Sequence, residues 1–487
     1  MQLLLWTVLG GMILAGGLWA WRRGLAQRRR RRFLAAHYPD RLQKRQYAHK
    51  VLIISSTLKS KETGKPVKQR MLYAPGLAPA LLAGLTPPDW DVELCYETIE
   101  EIPLDTDADL VAVTAMGYAL WHAFDFMDEF RRRGKKVICG GPMASLVPDE
   151  ALQHADAVCI GEAETQWETI LRDHERGELK QRYESNLDQA CSGLPVPRYD
   201  LIAEKNVGPI VAVLVGRGCP HSCEYCSIFA VYKNRYKRRT TDEVVRDIQA
   251  AKSLGFRELL LVDDNIGADF RTAKQLFEAL IPLGIRWVGQ CALTILRRPD
   301  LLELARRSGC STLSFGFETV NTASLEAHDK TFVKSEDYDE MLTALARSGI
   351  NVSSEMILGM DGDSEETFER TIDFVMRNKI TLPRFYVLTP IPGTPLFERM
   401  KREGKILTYD YNEYNGATCV YRPRALTPQQ VEDGYWRVYN EVFKLSSILK
   451  RCLTSRIRTN VAFVLFLLGV NLAYRSQVKR RICPGLV

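Results

Sequence analysis

From Val51 onward, short apolar runs alternate with longer amphipathic ones. The runs Val51–Ser55, Val92–Tyr96, Leu110–Thr114, Lys136–Cys139 and Ala157–Ile160 have the length and β-branched content of strands. Met71–Leu85, Ala119–Arg133 and Glu164–Arg176 between them have helical spacing or length. Strands alternating with helices predict a parallel, doubly wound α/β sheet, in which ligands sit beyond the carboxyl ends of the strands. Residues 177–208, with Gly193, Pro195 and Pro197, read as a linker. A second series follows, with strands expected at Ile210–Val215, Glu258–Val262, Trp287–Ala292, Thr312–Phe317, Asn351–Leu358 and Arg384–Thr389. Helices are expected at Thr241–Leu254, Phe270–Leu283, Pro299–Arg307, Tyr338–Ser348 and Ser364–Arg377. This pattern predicts a partial (β/α)6 barrel over 209–400, with its site at the strands' carboxyl ends. Residues 401–487 read as mostly helical.

Two apolar segments stand apart. Leu3–Trp21 is 19 residues without a charge, about 28 Å as a helix and so the thickness of a hydrocarbon core. Arg22, Arg23 and the run Arg28–Arg32 follow at once, which predicts a single-pass anchor at 1–21 in the cytoplasmic membrane, a basic juxtamembrane segment over 22–49, and everything later in the cytoplasm. A cleaved signal peptide fits less well, since no positive region precedes the stretch and no small-residue cleavage site ends it. Val461–Tyr474 is shorter and interrupted by Asn471; an interfacial helix and a buried terminal helix both fit it.

Charge sharpens the picture. The net charge is +7, but residues 22–50 carry +10 and residues 442–487 carry +9, leaving −12 for the rest. An acidic body disfavours a nucleic-acid substrate, whose recognition is largely cationic, while basic ends flanking apolar runs suit an anionic bilayer.

Small or polar residues mark the strand ends: Ser55, Thr114 and Gly117, Gly140 and Gly141, Gly161 and Glu162. Glycine admits close approach of a bulky ligand, and tight βα turns explain the same residues equally well. More telling is Gly218-Cys219-Pro220-His221-Ser222-Cys223-Glu224-Tyr225-Cys226, directly after the first strand of the second series. Three thiolates on one short loop can hold three corners of a cubane iron–sulfur cluster. With no fourth cysteine at matching spacing, one iron stays open for a substrate. A zinc site using His221 is the alternative, though His221 lies between Cys219 and Cys223, where closing one tetrahedron is awkward. The remaining nine of the twelve cysteines are scattered and read as small core residues.

This loop, with Tyr225 before its last cysteine, resembles the signature of the radical S-adenosylmethionine (SAM) enzymes. The resemblance implies that Cys219, Cys223 and Cys226 hold a [4Fe-4S] cluster and that SAM chelates the open iron. One electron then cleaves the sulfonium to methionine and a 5′-deoxyadenosyl radical. It extends to Asp263-Asp264-Asn265 after the second barrel strand, to Glu318 after the fourth, to the Leu358 segment of the fifth, and to Pro390-Ile391-Pro392-Gly393-Thr394-Pro395 after the sixth. These resemble the family's contacts to the SAM amino group, to SAM again through an acid, to adenine, and a sixth-strand turn. Gly140-Gly141-Pro142, Pro148-Asp149-Glu150 and Gly161-Glu162-Ala163-Glu164 resemble the cobalamin-binding Rossmann-like domain that precedes such barrels, here over 50–176. No Asp-x-His-x-x-Gly occurs, so the usual histidine for cobalamin's lower face is missing.

The sequence therefore predicts a membrane-anchored, cobalamin-dependent radical SAM enzyme. The expected activity is methyl transfer to an unactivated carbon of a hydrophobic or lipid substrate, with an electron donor such as flavodoxin or ferredoxin as partner. A cyclase or oxidase on the same scaffold and a non-catalytic iron–sulfur sensor that binds SAM are the rival readings.

Overall fold

The computed structural model describes residues 47–60, 63–453 and 461–484. Two six-stranded sheets, each parallel throughout, form the core. The first holds β1 (His49–Ser55), β2 (Trp90–Tyr96), β3 (Leu110–Thr114), β4 (Lys136–Gly140), β5 (Ala157–Ile160) and β6 (Arg182–Glu184) in the order β2-β1-β3-β4-β5-β6. Its strands are near-continuous apolar runs because helices cover both faces; Val51, Leu52, Ile53 and Ile54 are all fully buried. The order reverses at β1 and β3, which opens a ligand crevice beyond Ser55 and Thr114. The sixth strand lies within the expected linker. Only three residues long, it offers too short an alternation to read.

Helix Leu77–Leu85 starts six residues later than the apolar pattern suggested. Pro75 restrains its predecessor to extended backbone, so the helix begins after Gly76.

The second sheet runs β7 (Ile210–Leu214), β10 (Glu258–Val262), β11 (Arg286–Gln290), β12 (Cys310–Glu318), β13 (Asn351–Leu358) and β14 (Leu382–Val387) in sequence order, a partial barrel. Burial alternates with period two along its strands. Phe315 and Phe317 face the outer helices, where Phe317 meets Tyr338 and Phe374. Ser314, Glu355, Ile357, Arg384 and Tyr386 share the inner, partly accessible face. Between the two sheets' C-terminal ends lies a small antiparallel pair, β8 (Gly216–Gly218) and β9 (Tyr236–Arg238), flanking the cysteine loop.

Among the described residues no helix is long and apolar enough to cross a membrane. This corrects the expected placement through a single-pass anchor. The segment Leu3–Trp21 that suggested the anchor lies outside the described residues, as does most of the basic segment 22–49. The second apolar stretch packs one face into the fold. In helix Val461–Lys479, Leu467, Leu468 and Val478 are buried, and the fully buried Asn471 donates to Thr381 O at 2.9 Å and accepts from Arg451. Its polar side chain is satisfied by the barrel, which is how an interrupted apolar run is accommodated in a core.

Candidate active site between the two sheets

The cysteine loop runs from the end of β8 to the start of helix Ser227–Tyr232. Gly218 begins it with φ +81, and a Cβ there would collide with the Arg235 carbonyl just before β9, so only glycine allows the close approach. Cys223 is buried, Cys219 and Cys226 half-buried, and all three thiols are free. Burial first, then the neighbouring thiols, pushes Cys226 up to about 12, although the amides of Ile228 and Phe229 favour its thiolate. Among the described residues no three His, Cys, Asp or Glu side chains converge on a single metal ion. A multi-iron cluster does not ask its thiolates to meet at one point, and three sulfurs with no carboxylate or imidazole among them suit iron–sulfur chemistry. His221 instead stacks on Phe332 with ring centroids 3.9 Å apart.

The acidic turn after β10 is engaged by the protein itself. Asp264 accepts from Gly218 N at 2.7 Å, Asp263 from Tyr236 Oη at 3.0 Å and Asn265 N at 2.9 Å, and Asn265 donates to Cys219 Sγ at 3.8 Å while accepting from Ala292 N at 3.0 Å. These residues brace the cysteine loop. Burial raises both aspartates to about 6. For Asp263 the sign follows directly: the folded carboxyl binds its proton more tightly than the unfolded one, so its contribution is present below the unfolded value and lost as pH rises through about 6. Between pH 7 and pH 5, wild type should gain about 1 kcal/mol on Asp263→Asn, read from urea unfolding at both pH values; equal differences would contradict it.

Glu318 closes β12 in a left-handed conformation, φ +63, after a register shift at Gly316. Such a backbone costs about 1–3 kcal/mol. It turns the carboxylate inward onto Lys330, whose ammonium donates at 2.6 Å and also reaches Gly316 O at 2.7 Å. A Cβ at Gly316 would occupy the space of the Glu318 carboxylate. Lys330 and Glu318 both act electrostatically on Cys223. Tyr225 is held beside Glu318 and Cys223, its phenol pushed up chiefly by burial. Leu358, by contrast, is 1% exposed on the helix face; it is Ile357 that faces the lumen, beside Tyr386.

Sequence reasoning missed a second tether. Glu224, inside the loop, accepts from His328 Nδ1 at 2.7 Å and from Arg399 Nη2 at 2.6 Å. Burial opposes its charge, but these two partners outweigh it and hold it at about 2. His328 Nε2 accepts from Asp361 N at 3.2 Å, which leaves the Nδ1 proton for Glu224. Arg399 lies on helix Pro395–Arg402, which Thr394 caps and Pro395 starts. These partners are 104 and 175 residues from Glu224 in sequence, so no local pattern marks them.

At the first sheet, Gly141 (φ +105) lets the β4 end sit against Thr114 and Ala115, and Gly161 (φ +86) makes room for Ser185. Gly140 lies in ordinary contact with Cys159. Gly117 (φ +51) has open space where a side chain would be, and its neighbour Met116 is 76% exposed. With half-buried Ser55 and Thr114, this is an accessible, partly apolar cradle at the switch point, and it fits a bulky cofactor such as cobalamin. Glu162, after β5, pairs with Lys237 at 2.6 Å. The two sheets' ligand ends face each other. Helix Pro142–Leu146 packs on helix Ser227–Tyr232, and Gly393 of the proline-rich turn lies against Leu146.

A doubly wound sheet of this order joined to a partial barrel with three loop cysteines defines a two-cofactor class of enzyme. Residues 213–375 match the Radical SAM superfamily and residues 50–171 the B12 binding domain. The bacteriochlorophyllide d C-12(1)-methyltransferase of Chlorobaculum tepidum is 31% identical over 380 residues, 76% of this chain and 83% of that protein. The hopanoid C-2 methylase of Rhodopseudomonas palustris is 27% identical over 350 residues, 69% and 66% of the two chains. In fold, the chain resembles the radical SAM methyltransferase TsrM of Kitasatospora setae, solved with cobalamin and a [4Fe-4S] cluster (TM-score 0.65, 15% identity, 89% and 99% coverage). It also resembles the cobalamin-dependent radical SAM enzyme OxsB (TM-score 0.66, 13% identity, 88% and 71% coverage). The chain belongs to the cobalamin-dependent radical SAM methyltransferase family, enzymes whose cofactors are a [4Fe-4S] cluster, SAM and cobalamin.

Proposed function

We propose that this chain transfers a methyl group to an unactivated carbon of a hydrophobic substrate, in a site between the B12-type domain at 50–176 and the barrel at 209–400. The observation that supports the reading is the packing of the elements that follow the two sheets' strand ends. Helix Pro142–Leu146, which follows β4, packs on helix Ser227–Tyr232, which follows the cysteine loop, and Met116 stands exposed beyond β3 of the same sheet as β4.

Cys219, Cys223 and Cys226 would hold the cluster. Lys330 and Glu318 stand beside it as a cation and a carboxylate suited to the two ends of an amino acid moiety. Ser55, Thr114 and Gly117 would receive cobalamin. When bound, these groups supply the electron that cleaves a sulfonium and a transferable methyl group. The protein's part is to hold and to exclude. The Asp264–Gly218 and Glu224–Arg399 bonds fix the loop from two sides, and Val262, Val288 and Ile357 present an apolar wall to the lumen. That wall, and relatives named for methylating a bacteriochlorophyllide and a hopanoid, support an apolar substrate.

The test is anaerobic turnover of reconstituted protein with SAM, reductant and a panel of chlorin and triterpenoid acceptors. A product heavier by one methylene unit, formed with 5′-deoxyadenosine, is the expected result. A product without that mass gain would place the chain with cyclases or oxidases on this scaffold. Absence of 5′-deoxyadenosine under every condition would make it a sensor.

A further inference from the structure

Four charged side chains meet where the two domains touch, and the chemistry above uses none of them. Glu162 and Glu164 follow β5, at the ligand end of the B12-type sheet. Arg217 is in β8, two residues before Cys219, and Lys237 is its register partner in β9. Lys237 Nζ donates to Glu162 Oε2 at 2.6 Å, Arg217 Nη2 donates to Glu164 Oε1, and Arg217 Nη1 lies 3.5 Å from Glu162 Oε1. Every member is largely buried: side-chain exposures are 5% for Glu162, 8% for Glu164, 10% for Lys237 and 21% for Arg217. Glu162 Oε1 is moreover buried without a hydrogen-bond partner.

Stability alone is a poor reason for such a group. Taking four charges out of water costs as much as their attraction returns, and apolar residues of the same volume hold two surfaces together as well or better. What buried ion pairs add is orientation and a fixed register. Here they fix the residue that leads into the cysteine loop against the residues that follow β5 at the C-terminal edge of the first sheet. Both sides are locally stiff. Gly161 and Glu162 are pinned by Ser145 and Ser185 through their amides at 2.8 Å, and Gly218 is pinned by Asp264 at 2.7 Å. A shift at the end of β5 therefore passes to β8 through the ion pairs.

Resting on the function proposed above, we infer that Arg217, with Glu162, Glu164 and Lys237, couples the two cofactor sites, so that cobalamin bound beyond the first sheet tightens SAM binding at the cysteine loop. Arg217 is a positioning residue in this scheme. By linkage, SAM tightens cobalamin by the same factor.

The measurement is SAM affinity by equilibrium dialysis on the full chain with an oxidised cluster, where no turnover occurs, with and without hydroxocobalamin. In wild type, hydroxocobalamin should lower the SAM Kd by about fivefold or more. In Arg217→Met the Kd should be the same with and without it, to within about twofold, while iron and cobalt content stay at wild-type levels. Arg217→Lys, which keeps one charge, should restore part of the effect, a pattern that loss of packing alone does not produce. Should Arg217→Met fail to fold, Glu164→Gln reads the same quantity. A wild type that takes up both groups and whose SAM affinity ignores cobalamin overturns the coupling alone, as does an Arg217→Met or Glu164→Gln protein that keeps it. A wild type that takes up no cobalt overturns the coupling and the functional reading together.

Discussion

Cys226→Ala should take iron from about four per chain to well under one after anaerobic reconstitution, and SAM cleavage should fall by about a thousandfold or more. The thiol sits where helix Ser227–Tyr232 begins, with its sulfur accepting from the Ile228 and Phe229 amides. Those amides and the helix's positive end favour the thiolate, while burial and its sister thiols disfavour it, and the outcome without a cation is a neutral thiol pushed up to about 12. A metal cluster reverses that balance, because binding and deprotonation are one event. Two thiolates and no third ligand do not close the remaining corner of the loop. Cys291→Ala is the control. That cysteine is fully enclosed and its Sγ lies 3.7 Å from Asn265 Oδ1, so it is near the loop without belonging to the trio. It should cost about 1 kcal/mol of stability and leave the iron in place. Iron and sulfide assays on both variants check the prediction; equal iron in the two would contradict it.

Glu318→Gln should destabilise the fold by about 3 kcal/mol and weaken SAM binding by about ten- to a hundredfold. The stability loss has a specific origin. Lys330 is 5% exposed, and its ammonium is satisfied by Glu318 and by Gly316 O. Neutralising the carboxylate leaves a buried cation without its counter-charge, which is the expensive half of breaking a buried pair. The double variant Glu318→Gln/Lys330→Met should accordingly be more stable than Glu318→Gln alone. Additive losses in denaturant unfolding would show that the two groups act independently. On the proposed placing of SAM beside Lys330 and Glu318, SAM binding should stay lost in the double variant, which lacks both charges.

Much of this architecture was legible in the chain. Parallel strands covered on both faces read as unbroken apolar runs, so β3 and β5 begin and end where the pattern put them, as do the barrel strands β10 and β13 with one face turned to the lumen. Three-residue strands such as β6, β8 and β9 carry too little alternation to be seen. The cysteine trio was legible because its ligands are adjacent in sequence. The braces around it were not, because Glu224 meets His328 and Arg399 only after six strands have closed into a barrel. For the same reason Asp263, Asp264 and Asn265 could be marked as important at their strand end while their partners, Tyr236, Gly218 and Cys219, stayed hidden. Leu358 shows the limit of strand-end reading. One residue of offset separates the lumen from the helix face, and only the register against β14 decides which side a residue takes. The apolar Val461–Tyr474 stretch was ambiguous for a different reason: a buried helix and an interfacial one share a composition, and what separates them is a partner for Asn471.

The most direct measurement is the metal content of the full chain purified without oxygen. The account predicts about four iron and four sulfide per chain, together with cobalt approaching one per chain and bound as cobalamin. Protein that emerges colourless, takes up zinc in place of iron and carries no cobalt would contradict it.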